Sequence, residues 1–153
     1  FMLKLTVSYP TRSDEQEILK RMAGTEPKTD VDPVITPDDV KRLRRLADNI
    51  YMDEKIEEYI VNLVEASRNP DTYKMDIGRL IRYGASPRAT IYLAMASKAN
   101  ALIEGRGYVT PQDVKTIAPA VLRHRILLTY EAEAEDVDSD QIIGRIFDSV
   151  EVP

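Results

Sequence analysis

The stretch from Arg88 to Ile103 constrains the fold most, because its apolar residues fall on nearly every side of a helix. They are Ile91, Tyr92, Leu93, Ala94, Met95, Ala96, Ala99, Ala101, Leu102 and Ile103. A helix that is apolar all round is normally buried among other elements rather than laid on a surface. The sequence therefore predicts that this helix is the buried centre of a helical domain.

The residues that flank this stretch mark the two ends of the helix. Ser86 is a good N-cap, because its hydroxyl can accept a hydrogen bond from a backbone N–H one turn further on. Pro87 suits the first helical position, where its missing N–H leaves no hydrogen bond unmade and its φ is already helical. Gly105 and Gly107 predict the end of the helix. We therefore expect a helix with a rigid beginning at Ser86-Pro87.

Arg88 is an unusual residue for the first turn of a helix. The N-terminus of a helix carries partial positive charge, so an exposed cation there costs roughly 0.3–1 kcal/mol. Two interpretations follow from the residues. Either a nearby carboxylate compensates the charge in a structural salt bridge, or the guanidinium and the free N–H groups together face an anion such as a phosphate.

Several motifs around Arg88 occur together in one known family. They are Tyr83, the Gly84–Ala89 loop, Thr110-Pro111 and Leu122-Arg123-His124-Arg125. With this set the chain resembles the C-terminal helical lid of MoxR-type AAA+ ATPases. The resemblance covers almost the whole chain and is strongest between Ile81 and Glu135. It implies an all-α fold, a small helical bundle of the AAA+ lid type.

The resemblance also implies a function. In this family the arginine that matches Arg88 is the sensor 2 residue, which reads the γ-phosphate of bound ATP, so Arg88 is the expected cofactor-binding residue. ATP and Mg²⁺ are implied as cofactors of the full-length protein. ATP binding and hydrolysis would drive chaperone-like remodelling or assembly of other proteins by a cytoplasmic hexameric ring. The implied partners are the chain's own AAA+ core, neighbouring subunits and proteins with von Willebrand factor A domains.

The parts that carry out phosphoryl transfer are missing from this sequence. No glycine precedes a lysine, so there is no Gly-x4-Gly-Lys-Ser/Thr phosphate loop. No apolar strand ends in paired acidic residues that would hold Mg²⁺, and no carboxylate pair is spaced for acid–base catalysis. The chain has no cysteine and one histidine, His124, which removes cysteine- and histidine-based metal motifs. We therefore predict no catalytic residue and no metal site in this chain alone, which should neither hydrolyse nor tightly bind ATP.

The first ten residues differ in pattern from the rest. Apolar and polar residues alternate over Met2–Ser8, which predicts a half-buried strand. A lone strand in a helical chain has no partner, and in the family the last strand of the nucleotide-binding core runs into the lid through a similar Tyr-Pro. The chain also begins at Phe1 rather than at a methionine. We interpret residues 1–10 as the remnant of a preceding AAA+ core and residues 11–153 as the helical lid.

Capping patterns predict where the other helices begin. They are a Ser-x-x-Gln capping box at Ser13, Thr36-Pro37, Asp53, Thr110-Pro111, and either Asp138 or Ser139. Residues 24–35 are interpreted as a loop because of their prolines. Pro119 predicts a kink or an early end in the helix that begins at Thr110. Residues 126–130 fit either a helical end or a short extended piece, and in all we expect five or six helices.

The net charge of −5 is unevenly distributed. Residues 131–151 hold eight acidic residues and one arginine, so the rest of the chain carries a net charge of +2. A nucleic-acid-binding domain usually presents a basic face, and no apolar run is long enough to span a membrane, so neither partner is expected. Four apolar residues at helical spacing in the acidic segment predict a helix that packs on the body. They are Ile142, Ile146, Phe147 and Val150.

A second interpretation treats the chain as a free-standing helical protein-interaction module without nucleotide chemistry. The acidic segment, or a basic helix face, would then dock a protein, and Arg88 would only brace a helix. That basic face consists of Lys41, Arg42, Arg44 and Arg45. It is typical of a solvated helix surface, although it could also contact a neighbouring subunit. Arg123-His124-Arg125 is given no role, and its histidine is expected to be packed or exposed rather than catalytic.

Overall fold

The structure is a computed structural model that describes residues 1–25 and 31–153. Its α-helices are α1 (Arg12–Met22), α2 (Pro37–Asp48), α3 (Glu54–Ala66), α4 (Pro87–Ile103), α5 (Pro111–Leu122), α6 (Tyr130–Ala134) and α7 (Ser139–Ser149). Between them lie two 3₁₀ turns, Pro70–Tyr73 and Gly78–Leu80, and two short strands, β1 (Ile81–Tyr83) and β2 (Leu127–Leu128). The predicted all-α class is confirmed. The described residues form seven helices rather than five or six, because the short α6 was not expected.

Local capping sets where most helices begin, as predicted. Reciprocal capping boxes open α2 and α7, with Thr36 and Asp138 as the N-caps. Asp53 caps α3 by accepting a hydrogen bond from a backbone N–H two residues on. At α5, helix formation continues through Pro119 to Leu122, so the predicted early end does not occur. A proline removes one hydrogen bond from the helix, and the packing of α5 outweighs that loss.

The prediction for α1 is wrong by two residues. Thr11, not Ser13, is the N-cap, because its hydroxyl and the Asp14 side chain form a reciprocal capping box two residues earlier. Ser13 is already inside the helix. Residues 26–30 of the predicted loop lie outside the described residues, and the described residues on either side of them are not helical.

α4 lies at the centre of the helix packing. It contacts α2, α3 and α5, and α7 packs against α3 and α5. The largest fully buried side chains include Tyr59, Ile60, Leu63, Leu80, Leu93, Leu122, Ile126, Ile142, Ile143 and Ile146. The predicted burial of α4 holds for one side only. Ile91, Met95 and Ile103 are exposed, because the described neighbours of this apolar helix do not surround it.

The predicted strand at Met2–Ser8 does not form within the described residues, so this expectation is wrong. A strand needs the edge of another strand, and the segment instead lies on the end of α5. Its backbone hydrogen bond runs from the Lys4 N–H to the Ala120 carbonyl oxygen (2.8 Å). The short sheet lies elsewhere, where β1 pairs antiparallel with β2. Of the two readings for residues 126–130, the extended one is therefore correct.

The acidic segment is folded onto the body, as predicted. Ile142 and Ile146 are fully buried, Val150 is nearly so, and Phe147 is half-buried against the core. The helix α7 thus hides its apolar face and leaves its acidic residues in water. At the start of the segment, Arg79 binds Glu131 and Glu135 through hydrogen-bonded ion pairs, each with an N···O distance of 2.6 Å.

Candidate functional site

Arg88 lies in the first turn of α4, where the sequence predicts it. Ser86 occupies the N-cap position with extended backbone angles, and Pro87 is the first helical residue. The predicted cap through the Ser86 hydroxyl is wrong, since this side chain makes no capping hydrogen bond. The turn is closed by the backbone instead, with the Ala89 N–H donating to the Ser86 carbonyl oxygen at 2.8 Å. The helix start is therefore defined by Pro87 and by backbone geometry.

A buried contact with the end of α3 holds the loop that leads into this turn. Ser67 is fully buried, and its hydroxyl accepts from the Ala85 N–H (2.9 Å) while donating to the Val64 carbonyl oxygen (2.6 Å). Gly84 lies so close to the same place that an added Cβ would fall 2.3 Å from the Ser67 carbonyl oxygen. Only glycine allows this approach. The platform under Arg88 is thus rigid, and nothing in the sequence connected Ser67 with it.

Arg88 itself is exposed and has no acidic partner among the residues that the structure describes. Among residues 1–25 and 31–153 its guanidinium takes part in no salt bridge with an N···O distance within 4.0 Å. The structural salt bridge offered as one explanation of Arg88 is therefore not found in this part of the chain. A cation at a helix N-terminus without a carboxylate is an arrangement that favours an anion from elsewhere.

A second arginine, Arg125, is half-buried and lies over a residue of α4 that follows Arg88 by one helical turn. Its guanidinium carbon sits 5.0 Å from the centre of the Tyr92 ring, a cation–π contact one helical turn beyond Arg88. Burial lowers the pKa of Arg125, and the positive charge of Arg88 lowers it further, while Tyr92 acts in the opposite direction. Arg125 thus packs on the face of α4 on which residues 88 and 92 lie, because these positions are one helical turn apart.

The motif Arg123-His124-Arg125 anchors the first residues of the chain to the end of α5. Arg125 donates to the carbonyl oxygens of Phe1 and Met2, the latter at 3.1 Å. Arg123 donates to the Thr6 hydroxyl at 2.8 Å and binds a carboxylate of α7. The partners in the first six residues lie more than a hundred positions away in sequence, so no local pattern could have predicted this role.

His124 is half-buried and contacts one of these two arginines. Its Nε2 accepts from Arg125 Nη1 at 2.6 Å, because a guanidinium can only donate. The proton of the neutral ring is therefore on Nδ1, which is buried without a hydrogen-bond partner in the described residues. Burial lowers the pKa of His124, and the charge of Arg125 lowers it further, so the ring is neutral at pH 7.

The chemistry of Arg88 suits a phosphate group rather than a metal ion. The exposed guanidinium of Arg88 can donate two parallel hydrogen bonds to phosphate oxygens. In the described part of the chain there is no group of three or more histidine or acidic side chains that could hold a metal ion. A Mg²⁺ ion that accompanies a nucleotide would therefore need ligands from outside these residues. No helix in the same residues combines the length and apolar character that a bilayer crossing requires.

The basic face of α2 is partly neutralised by its own helix. Lys41 pairs with Asp38 at 2.9 Å and Arg42 with Asp39 at 3.8 Å, all at exposed positions. Exposed pairs of this kind contribute little to stability. This arrangement is typical of a solvated helix face.

Comparison with known proteins places the geometry in a class. Residues 74–146 match the AAA lid domain, the region that contains Arg88, Tyr92 and the Arg123-His124-Arg125 motif. The helical fold and this match thus define an AAA lid domain.

The relatives identify the family within this class. The chain is 37% identical to Chaperone MoxR1 of Mycobacterium tuberculosis, covering all of this chain and 40% of that protein. It is 39% identical to Protein MoxR of Paracoccus denitrificans over 62% of this chain and 30% of that one. A crystal structure of a Cytophaga hutchinsonii protein, described as a candidate ATPase, superposes with a TM-score of 0.92 at 36% identity, covering all of this chain and 47% of the other. The chain belongs to the MoxR-type AAA+ ATPases and spans less than half the length of these relatives.

Proposed function

We propose that this lid senses ATP through Arg88 and couples ATP binding and hydrolysis to chaperone-like remodelling or assembly of partner proteins. The observation that supports this most is the state of Arg88: exposed, at a helix N-terminus, and without a carboxylate partner among the described residues. A salt-bridged arginine would have to give up its partner before it could bind a phosphate. Arg88 has no such cost.

The geometry around Arg88 supports a sensing role because the position of its backbone is rigid. Gly84 and Ser67 fix the loop, and Pro87 fixes the first helical residue. A donor held in place before the ligand arrives loses little entropy on binding, and this favours recognition. When a phosphate binds, the whole of α4 is drawn with it, and α4 contacts three other helices of the lid. Phosphate binding at one end would therefore move the lid as a unit.

The rest of the catalytic apparatus is assigned to polypeptide outside this chain. A phosphate loop and the ligands of Mg²⁺ would come from the AAA+ core, with residues 1–10 as the last part of that core and residues 11–153 as the lid. The lid would contact its own core and neighbouring subunits in a cytoplasmic hexamer, and proteins with von Willebrand factor A domains would be its partners. On this proposal the isolated chain is inactive.

The test is to replace Arg88 in the full-length protein and measure ATP turnover and thermal stability in parallel. Arg88→Ala should lower turnover by about tenfold or more, since arginines that stabilise a transferring phosphoryl group contribute ~10³–10⁵ and a sensing arginine contributes less. Stability should change by less than about 0.5 kcal/mol, because the side chain is exposed and its removal relieves an unfavourable dipole contact. Arg88→Lys should restore only part of the activity, because an ammonium cannot form the paired hydrogen bonds.

The matched control is Arg145→Ala, which removes an exposed arginine from α7. It should leave turnover unchanged. Normal turnover in Arg88→Ala would refute the proposal. So would a loss of activity that is fully explained by a lower melting temperature.

One observation favours the alternative of a protein-interaction module. An apolar groove of about 980 Å³ runs beside α4 and is lined in part by Val61, Ile91, Met95 and Ile103. Exposed apolar surface of this kind is common at sites that contact another protein. The two functions are separated by the Arg88 variants, because a module without nucleotide chemistry would be unaffected by them.

A further inference from the structure

One side chain joins the Arg88 end of α4 to the first residues of the chain. Tyr92 follows Arg88 by one helical turn, so both side chains lie on the same face of α4. The guanidinium of Arg125 lies over the Tyr92 ring and at the same time donates to the carbonyl oxygens of Phe1 and Met2. Arg125 therefore contacts both α4 and the N-terminal segment, which we define as residues 1–6.

The charges on this face are unbalanced. Arg125 is held by carbonyl oxygens, by a ring nitrogen of His124 and by the Tyr92 ring. In the described residues neither Arg125 nor Arg88 pairs with a carboxylate. The repulsion between two like charges is larger where one of them is partly buried, because the effective dielectric constant is lower there. We expect this repulsion to weaken the hold of Arg125 on the N-terminal segment.

An anion on Arg88 would remove this repulsion. The negative charge of the anion offsets the positive charge of the Arg88 guanidinium. Arg125 then interacts with a nearly neutral neighbour. The hydrogen bonds from Arg125 to the N-terminal segment become more stable as a result. By linkage the effect is reciprocal, so a firmly held segment also favours the anion at Arg88.

We propose that Arg125 is a positioning residue that transmits the occupancy of Arg88 by a nucleotide phosphate to the N-terminal segment. The proposal rests on the proposed function of Arg88 and adds how the N-terminal segment responds to the phosphate. Phosphate at Arg88 tightens residues 1–6 on the end of α5, and loss of the phosphate loosens them. Tyr92 belongs to the same arrangement, because its ring holds the Arg125 guanidinium against the helix that carries Arg88.

The structure supplies a reporter for this change. The Lys4 N–H donates to the Ala120 carbonyl oxygen at 2.8 Å, so its exchange with solvent requires the N-terminal segment to leave α5. Arg123 provides the matched control. It binds the same segment at the Thr6 hydroxyl and the Lys4 carbonyl oxygen, and among the described residues it makes no cation–π contact with Tyr92.

The experiment measures hydrogen exchange at Lys4 in the full-length protein, with and without a non-hydrolysable ATP analogue. In the wild type, the analogue should slow exchange by about fivefold or more, the lower end of coupling between linked sites. In Arg125→Gln and in Tyr92→Leu the analogue should no longer slow exchange at Lys4. Tyr92→Phe should respond like the wild type, because the ring remains. Arg123→Gln should speed exchange in both states and leave the ratio unchanged.

Two results would overturn the inference: no response to the analogue in the wild type, or a full response in Arg125→Gln, with Tyr92→Leu taking its place if Arg125→Gln does not fold. Use of two positions guards against misfolding of either variant. Arg88→Ala is measured alongside for turnover and for the same exchange ratio. If its turnover is lost while Arg125→Gln keeps the full ratio, the inference fails and the proposed function stands. If its turnover is normal, the proposed function itself fails.

Discussion

The contact between Gly84 and the end of α3 makes a sharp prediction. In Gly84→Ala the new Cβ would lie 2.3 Å from the Ser67 carbonyl oxygen and 2.8 Å from the Cα of Arg68. All the atoms it meets belong to the backbone, so no side chain can rotate away. The loop must shift by about 1 Å to reach an ordinary van der Waals distance.

The change in the free energy of unfolding of Gly84→Ala follows from two opposing effects. Replacing glycine by alanine stabilises a protein by about 0.4–1 kcal/mol through the unfolded chain, whereas overpacking a filled site costs about 1–3 kcal/mol and sometimes more. The clash is severe and involves backbone, so the second effect should win. We expect a net loss of about 1–2 kcal/mol, which for a chain of this length lowers the melting temperature by about 2–8 °C.

The assay is urea denaturation of the purified protein, together with ATP turnover of the full-length form. Turnover of Gly84→Ala should fall by more than the loss of stability explains, because a displacement of 1 Å at an active site can cost about 10² in rate. Gly144→Ala is the control: it lies inside α7 with open space around its Cβ position, and should stabilise by about 0.5–1 kcal/mol. Wild-type stability in Gly84→Ala would refute the close contact and with it the rigid platform of Arg88.

Two further predictions concern acid sensitivity. Burial acts to raise the pKa of Asp113, but hydrogen bonds from Arg106, Thr110 and Asn100 outweigh it and hold the pKa well below its usual range. Asp113→Asn should therefore destabilise the protein at pH 7, because the buried position 113 loses the carboxylate that accepts hydrogen bonds from Arg106, Thr110 and Asn100. Chemical denaturation should show that this deficit shrinks below about pH 4, where the wild type starts to lose the same contribution. The lowered pKa of His124 also makes the protein less stable as the pH falls, but over a higher pH range. The stability that comes from the neutral ring is present above the usual value of 6.5 and is lost as the pH falls below it. Between pH 7 and pH 5 the wild type should thus lose stability that His124→Asn does not lose, and parallel curves for the two proteins would contradict the buried neutral ring.

The exposed helices α1 and α2 show the difference between forming a helix and burying it. Both begin at capping boxes, and neither buries any residue fully. Ile18, Leu19 and Met22 of α1 are exposed, as are Leu43 and Leu46 of α2. Capping is a local interaction that acts without tertiary contacts, whereas burial needs a surface to pack against. The relatives are more than twice as long as this chain, and we expect these faces to be covered in the longer protein.

The sequence by itself determined the class of the fold and most helix boundaries. Caps such as Thr36 and Asp138 act through hydrogen bonds to residues three positions away, so the pattern carries the whole interaction. Apolar spacing in α7 likewise predicted its packed face. The place of Arg88 in the first turn of α4 could be predicted for the same reason, since Pro87 defines that turn locally.

Only the tertiary structure decided what surrounds Arg88. The approach of Gly84 to Ser67, and the reach of Arg125 to Phe1 and Met2, join residues that are 17 and more than 120 positions apart. Whether a carboxylate faces Arg88, and which side of α4 stays open, depend in the same way on how distant elements meet. Such contacts are set by the free energy of packing the whole chain, in which each residue's own preference is a small part. These contacts produce no regular spacing of residue types, so they could not be predicted from the sequence.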